Sequence, residues 1–151
     1  MKHMPNGQLP GVHCSEDLDR LTDHVTARSR PLVMPVSRDT GRVTVTAQMY
    51  LSQIFNLDEV YQMLSFSAIF VVKWNDGRLA WNASEFGNIS SIALPLSSLW
   101  IPDLDISNSA DENALLYSSS GPANSVKCRI FSDGNVQWTP HGSAGSRFSL
   151  W

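Results

Sequence analysis

The stretch VKCRIFSDGNVQW, residues 126–138, decides the fold class of this chain. On its first arm, the apolar residues Cys128 and Ile130 alternate with charged neighbours, which is the period-two pattern of a half-buried strand. The tetrapeptide SDGN follows, and its glycine tolerates the positive φ that a tight turn requires. The alternation resumes through Val136 and Trp138. The stretch therefore predicts an antiparallel β-hairpin.

Four earlier segments have the composition of strands. Residues 43–50 alternate apolar and polar side chains and are predicted to form a half-buried strand. Residues 65–74 are rich in β-branched and aromatic side chains and end at the turn NDG. Shorter strands are predicted at residues 79–81 and 92–94, the last restricted by Pro95 to a sheet edge or a bulge.

One helix is predicted before the strands. Ser15 is a preferred N-cap residue and is followed directly by two acidic residues, which suit the positive end of a helix. Leu18, Leu21 and Val25 form an apolar stripe at helical spacing. The helix should end near Ala27, because two prolines follow within eight residues.

Together these elements predict an all-β fold, an antiparallel immunoglobulin-like β-sandwich with a short N-terminal α-helix. A length of 151 residues suits one domain. We assign residues 1–14 to an N-terminal tail, residues 15–147 to the sandwich and residues 148–151 to a C-terminal end.

The composition argues against several classes of function. The net charge is −3, and the basic residues are scattered singly, so no nucleic-acid partner is expected. No apolar run reaches the ~18 residues that span a bilayer. The histidines and cysteines match no metal-binding motif, so no metal or cofactor is predicted. Residues 141–145, HGSAG, lack the glycine spacing of a hydrolase nucleophile loop and are interpreted as a Gly/Ser linker. We therefore expect no catalytic residues and no enzyme.

Two N-glycosylation sequons begin at Asn82 and Asn88. Both fall in the loop predicted after Trp81, where a glycan could project into solvent.

Five motifs, in order along residues 15–140, carry a family resemblance: RP at 30–31, the strand at 43–53, the WND turn with LAWN, LWIPD at 99–103, and FSDGNVQW at 131–138. The chain resembles the extracellular ligand-binding domain of the Cys-loop, or pentameric neurotransmitter-gated, channel family. The similarity is greatest to nicotinic acetylcholine receptor subunits and to soluble acetylcholine-binding proteins.

The resemblance implies an extracellular location, either secreted or on the outer face of the plasma membrane. It also implies a pentamer of like subunits that binds a small neurotransmitter-like ligand between neighbours in an aromatic cage. Any attachment to the membrane would run through segments absent from this chain. Scaffold roles are expected for Trp74, Trp81, Trp100, Pro102 and Asp103.

Ligand-binding positions are carried over one by one. The first loop of the principal face falls on residues 105–108, where Ser107 replaces the nicotinic tyrosine and Asn108 follows it. Ile69 replaces the tryptophan of the complementary face. The remaining complementary positions are Lys127, Arg129 and Thr139. A lysine there would repel an ammonium ligand and favour an anionic or neutral one.

The chain ends at Trp151, where the resemblance places the start of the family's disulfide loop, so we expect a domain truncated before that loop, with one core face exposed. Cys14 and Cys128 could form a disulfide, or both could be buried free thiols. Three interpretations remain open: the ligand-recognition domain of a channel subunit, a soluble ligand buffer or dominant-negative or structural partner without channel activity, or a truncated and non-functional splice product.

Overall fold

The computed structural model describes residues 12–37, 40–104 and 127–147, with side chains for residues 16–37, 40–104 and 127–140. The elements are α1 (Val12–Arg28), β1 (Thr46–Asp58), β2 (Met63–Asn75), β3 (Ser91–Pro95), β4 (Lys127–Phe131), β5 (Asn135–Trp138) and β6 (His141–Arg147). Three short 3₁₀ turns lie at Gly77–Leu79, Ala83–Glu85 and Leu96–Ser98.

Helix α1 begins earlier than predicted. It starts at Val12, so Ser15 lies inside the helix, and the prediction of an N-cap at Ser15 is wrong. The nearest helix-disfavouring residue upstream is Gly11, and nothing between it and Ser15 opposes helix formation. The apolar stripe is confirmed in part, because Leu21 and Val25 are fully buried while Leu18 is 44% exposed.

The sheet is antiparallel throughout, with strand order β1-β2-β5-β4-β3, and β6 also pairs with β2. The predicted hairpin is confirmed: β4 and β5 pair through Arg129 opposite Gln137 and Ile130 opposite Val136. Among the described residues β3 pairs only with β4 and ends this order, so the prediction that Pro95 restricts its strand to an edge or a bulge is confirmed for that part of the chain.

Strands β5 and β6 follow the same edge of β2 with one unchanged register. Trp138 lies opposite Val72 and His141 opposite Ile69, so the pairing offset does not change across the break. Between them, the Phe70 N–H donates to the Pro140 carbonyl at 2.9 Å, but Pro140 has no N–H to return the bond. The interpretation of residues 141–145 as a linker is therefore wrong, because backbone pairing makes them a strand.

Two further strand predictions need correction. Residues 79–81 form no strand, because the Asp76 carboxylate accepts the Arg78 N–H at 3.1 Å and starts a 3₁₀ turn instead. The strand predicted from residue 43 is confirmed in part: β1 begins at Thr46, and its residues 46–57 are exposed on both faces, so the predicted half-burial is wrong. Among the described residues no element packs over β1, so apolar side chains such as Met49 and Leu51 are more than half exposed.

One buried cluster joins the sheet to α1. It contains Leu21 and Val25 of the helix, Ala68, Phe70, Val72 and Trp74 of β2, Leu79, Trp81, Phe86, Ile92, Leu94, Leu96 and Leu99, and Cys128, Ile130, Val136 and Trp138 of the hairpin. The predicted fold class, an all-β antiparallel sandwich with an N-terminal helix, is confirmed by this arrangement.

Candidate ligand-binding face

Alternation along three strands separates a buried face of the sheet from an outward one. On β2, Ala68, Phe70, Val72 and Trp74 are buried, whereas the residues between them are half-buried or exposed. The same holds on β4 and β5, where apolar residues face the core and the intervening residues face out. We call the outward side chains of β2, β4 and β5, continued at Thr139, the outer face.

The centre of the outer face is a row of polar residues across three strands. Lys73 of β2 lies opposite Gln137 of β5, and Gln137 lies opposite Arg129 of β4. With neighbouring strands about 4.8 Å apart, the Cα atoms of Lys73 and Arg129 are separated by about 10 Å. Both cationic residues are exposed, and Gln137 between them is half-buried.

The predicted complementary positions join this row. The offset shared by β5 and β6 along β2 places Thr139 opposite Val71, and Lys127 is the outward residue of β4 that precedes Arg129 by two positions. Ile69 follows one step along β2, between Tyr50 of β1 and the backbone of β6. Successive outward positions on a strand are about 7 Å apart, so these rows are neighbours.

Four predicted site residues therefore share the outer face: Ile69, Lys127, Arg129 and Thr139. Lys127, Arg129 and Thr139 are exposed, and Ile69 is half-buried. Ser107 and Asn108 lie outside the described residues. The structure adds Lys73 and Gln137, which sequence reasoning missed. Alternation counted back from the NDG turn could have placed Lys73 on the outward side, and the hairpin register could have placed Gln137 opposite Arg129, but only the structure pairs Lys73 with Gln137.

The charges of the outer face have one sign. Strands β2, β4 and β5 contain Lys73, Lys127 and Arg129 and not a single Asp or Glu. The acids nearest in sequence are Asp76, which directly follows β2 and pairs with Arg78 at 2.8 Å, and Asp133 in the β4–β5 turn, whose carboxylate accepts the Asn135 N–H at 3.0 Å and the Asn135 side-chain amide at 2.6 Å. A ligand on this face would meet cations and amides in a partly apolar setting.

A cavity of about 730 Å³ lies at the turn end of the outer face. Lys73 and Gln137 line it, with Ser132 and Asp133 from the β4–β5 turn and Thr46 from β1. Its volume falls within the ~300–1,000 Å³ range of small-molecule sites.

The tryptophans predicted as scaffold are in the core or against it. Trp74 and Trp81 are buried, and Trp100 packs edge-on against Trp74 with ring centroids 6.2 Å apart. The Trp81 indole N–H donates to the Ile89 carbonyl at 2.8 Å, which satisfies its polar atom. Pro102 is buried, whereas Asp103 is exposed, so the structure gives Asp103 no place in the core.

Both sequon asparagines are exposed in the loop after Trp81, as predicted. The Asn82 side-chain oxygen accepts the Ser84 hydroxyl at 2.9 Å, which ties the sequon into a local turn. Asn88 has φ of 59°, a left-handed conformation that asparagine tolerates.

Cys128 is a free cysteine and fully buried. Burial raises the pKa of its thiol to about 12, because the thiolate would lose its hydration. This is the buried-thiol alternative for Cys128, whereas the side chain of Cys14 lies outside the described part of the chain. In that part, no group of three or more His, Cys, Asp or Glu side chains could hold a metal ion, and no helix has the length and apolarity to cross a membrane.

The antiparallel sheet thus presents an exposed face of one charge sign beside a cavity, an arrangement that suits a ligand-recognition module. Comparison with known proteins identifies the family to which the chain belongs. Residues 18–147 match the model of the neurotransmitter-gated ion-channel ligand binding domain, and the chain belongs to that family. The resemblance found in the motifs is thus confirmed, and the family comprises receptor domains rather than enzymes.

Several acetylcholine receptor subunits are similar to the chain. It is 34% identical over 128 residues to the neuronal acetylcholine receptor subunit eat-2 of Caenorhabditis briggsae, an alignment that covers 85% of this chain and 25% of the relative. It is 33% identical over 138 residues to the human neuronal subunit alpha-2, covering 91% and 24%. The beta-type subunit acr-2 of Caenorhabditis elegans is 34% identical over 133 residues, covering 86% and 22%. The chain spans about a quarter of the length of these relatives.

Proposed function

We propose that this chain is the extracellular ligand-recognition domain of a neurotransmitter-gated channel subunit, which assembles with four like subunits and binds a small transmitter between neighbours. One observation supports this above the others. Ile69, Lys127, Arg129 and Thr139, which come from two distant parts of the sequence, lie together on one exposed sheet face. Those are the positions that the resemblance assigns to the complementary side of the ligand site.

The chemistry of the outer face favours a ligand with a carboxylate or another anionic group. An aliphatic side chain at Ile69 provides no ring for a cation–π contact, which would contribute about 0.5–2 kcal/mol to binding of an ammonium group. Lys127 and Arg129 would repel such a group. By contrast, a hydrogen bond from one of these cations to a carboxylate would contribute about 1.5–3 kcal/mol.

The first test is assembly. Protein made in a secretory host would be analysed by size-exclusion chromatography with light scattering, and a mass of five chains is expected. A folded monomer that binds no transmitter would contradict the proposal for this chain.

The second test is ligand preference, measured by isothermal titration with glutamate as the anionic probe and acetylcholine as the cationic probe. Glutamate should bind more tightly, and Arg129→Gln should weaken glutamate binding about tenfold, the equivalent of losing one charge-assisted hydrogen bond. Lys127→Gln should act in the same direction.

Arg20→Gln is the matched control, because Arg20 is an exposed cation on α1, where it pairs with Asp17 at 2.9 Å. That variant should leave both affinities unchanged. Tighter binding of acetylcholine than of glutamate, or equal glutamate affinity in Arg129→Gln and Arg20→Gln, would refute the assignment of the outer face.

A further inference from the structure

A second cavity, of about 900 Å³, lies beside the first and shares Thr44 and Asn75 with it, but neither Lys127 nor Arg129 of the outer face lines it. It is lined by the C-terminal end of α1, by residues 33–37 and 40–44, and by the turn that follows β2. Three arginines from these three regions line it: Arg28, Arg42 and Arg78. We call this cavity the arginine pocket. Its volume is within the ~300–1,000 Å³ range of ligand sites.

Two of the three guanidinium groups are held in place by contacts distant in sequence. Arg78 forms a forked pair with Asp76, with both bonds 2.8 Å long, and its Nη2 also donates to the Val33 carbonyl at 2.9 Å. Arg28 donates from Nη1 to the Ala80 carbonyl at 3.1 Å. Guanidinium groups fixed in this way lose less side-chain entropy when a ligand binds than freely rotating ones.

The arginine pocket is positive in a chain that is negative. Among its described lining residues there are three arginines and one acid, Asp76, which is 2% exposed and engaged by Arg78. The chain as a whole has a net charge of −3. An anion would therefore be attracted by the local field of the cavity rather than by the charge of the molecule, and a concave wall strengthens such a field.

The other polar groups around the cavity suit an oxyanion. Ser37, Thr40 and Thr44 line it and carry hydroxyl groups that can donate to oxygen. Arginine matches the paired oxygens of phosphate and sulfate through two parallel hydrogen bonds.

We propose that the arginine pocket is a binding site for a multiply charged oxyanion, a phosphate or sulfate ester, separate from the transmitter site on the outer face. The shared chemistry is one or more tetrahedral oxyanion groups that together carry at least two negative charges. A phosphorylated small molecule and a sulfated glycan could both supply it.

The proposal is tested by isothermal titration of the full chain with inorganic pyrophosphate and with a sulfated heparin disaccharide. Both probes should bind saturably at 50 mM NaCl and more weakly at 300 mM NaCl, because salt screens the interaction. The tighter probe identifies the source. Arg42→Gln should weaken binding about tenfold, since it removes one charge-assisted contact. Arg42 is exposed, so this variant should fold.

Arg28→Gln is the second variant, with the same expected direction. Arg129→Gln is the control, because it removes an exposed arginine on the outer face instead. The two sites should respond in opposite ways. Arg42→Gln should weaken pyrophosphate binding and leave glutamate binding unchanged, whereas Arg129→Gln should leave pyrophosphate binding unchanged. Failure of glutamate binding alone would leave the oxyanion site standing. Absence of saturable binding by either probe, or equal pyrophosphate affinity in wild type, Arg42→Gln and Arg28→Gln, would overturn it.

Discussion

Replacing Gly134 by alanine should destabilise the domain through two separate effects. Gly134 has φ of 82°, in the left-handed region that side chains rarely adopt. A Cβ at this position would lie 2.7 Å from the Asp76 carbonyl oxygen and 3.3 Å from the Gly77 Cα. The neighbours cannot easily withdraw, because the Gly134 carbonyl accepts the Asp76 N–H and its own N–H donates to Phe131, both at 2.9 Å.

The expected cost follows from these contacts. A left-handed conformation costs a residue with a Cβ about 1–2 kcal/mol. Moving the turn away from Asp76 weakens a backbone hydrogen bond whose net contribution is about 0.5–1.5 kcal/mol. The free energy of unfolding should therefore fall by about 2–3 kcal/mol in Gly134→Ala.

Two control glycines separate the effects. Gly41 has φ of 64°, but no atom lies within 4 Å of the point that a Cβ would occupy there, so Gly41→Ala should show the conformational cost alone. Gly77 has neither a positive φ nor a close neighbour, and Gly77→Ala should change stability least. Urea unfolding followed by tryptophan fluorescence gives the free energy of unfolding of all three variants, and the dependence of that free energy on urea concentration should be similar among them. Equal losses in Gly134→Ala and Gly41→Ala would refute the close approach of the β4–β5 turn to Asp76.

Three other predictions concern the core and the surface. Burial raises the pKa of Cys128 from 9.0 to about 12, so the thiol stays protonated in the folded state while the unfolded chain ionises. The free energy of unfolding should be unaffected by this group below pH 9 and should fall as the pH rises toward 12, and Cys128→Val should reduce that dependence. Peptide mapping after alkylation at pH 8 should find Cys128 unmodified in the native protein. Labelling of Cys128 in the native protein would contradict its burial. Ile130→Ala should cost about 2–5 kcal/mol in urea unfolding, and Val71→Ala on the outer face clearly less, whereas equal losses would contradict the assignment of faces. Glycan at Asn88 should disappear in Ser90→Ala, seen as one mass step after secretion, and an unchanged mass would show that this sequon is unused.

The hairpin and the division of the sheet into a buried and an exposed face could be predicted from the sequence, because both follow directly from the alternation of apolar and polar side chains. Alternation from Cys128 to Trp138 requires one buried and one exposed face, and the SDGN turn joins the two arms at a defined point. The predicted complementary residues of β2 and β4, Ile69, Lys127 and Arg129, therefore lie on the outward side of the sheet, and their role in ligand binding stays a prediction.

Pairing between distant strands could not be predicted in the same way. Strand β6 has the sequence HGSAGSR, which carries no apolar alternation, and it is held by backbone hydrogen bonds to β2. The row of Lys73, Gln137 and Arg129 depends on the register of β2 against β5, which no local pattern contains. Likewise, the 3₁₀ turn after β2 depends on a side chain, Asp76, that competes with strand formation.

The unchanged register of β5 and β6 along β2 has a consequence for how this domain can vary. Residues 135–147 keep a single register against β2. At Pro140 one backbone hydrogen bond is missing, but the register does not change. Substitution of an outward residue leaves that register intact, so the chemistry of the outer face can diverge while the core is kept. Insertion or deletion of one residue would turn every later side chain to the opposite face. Length polymorphism should therefore be far rarer here than sequence polymorphism.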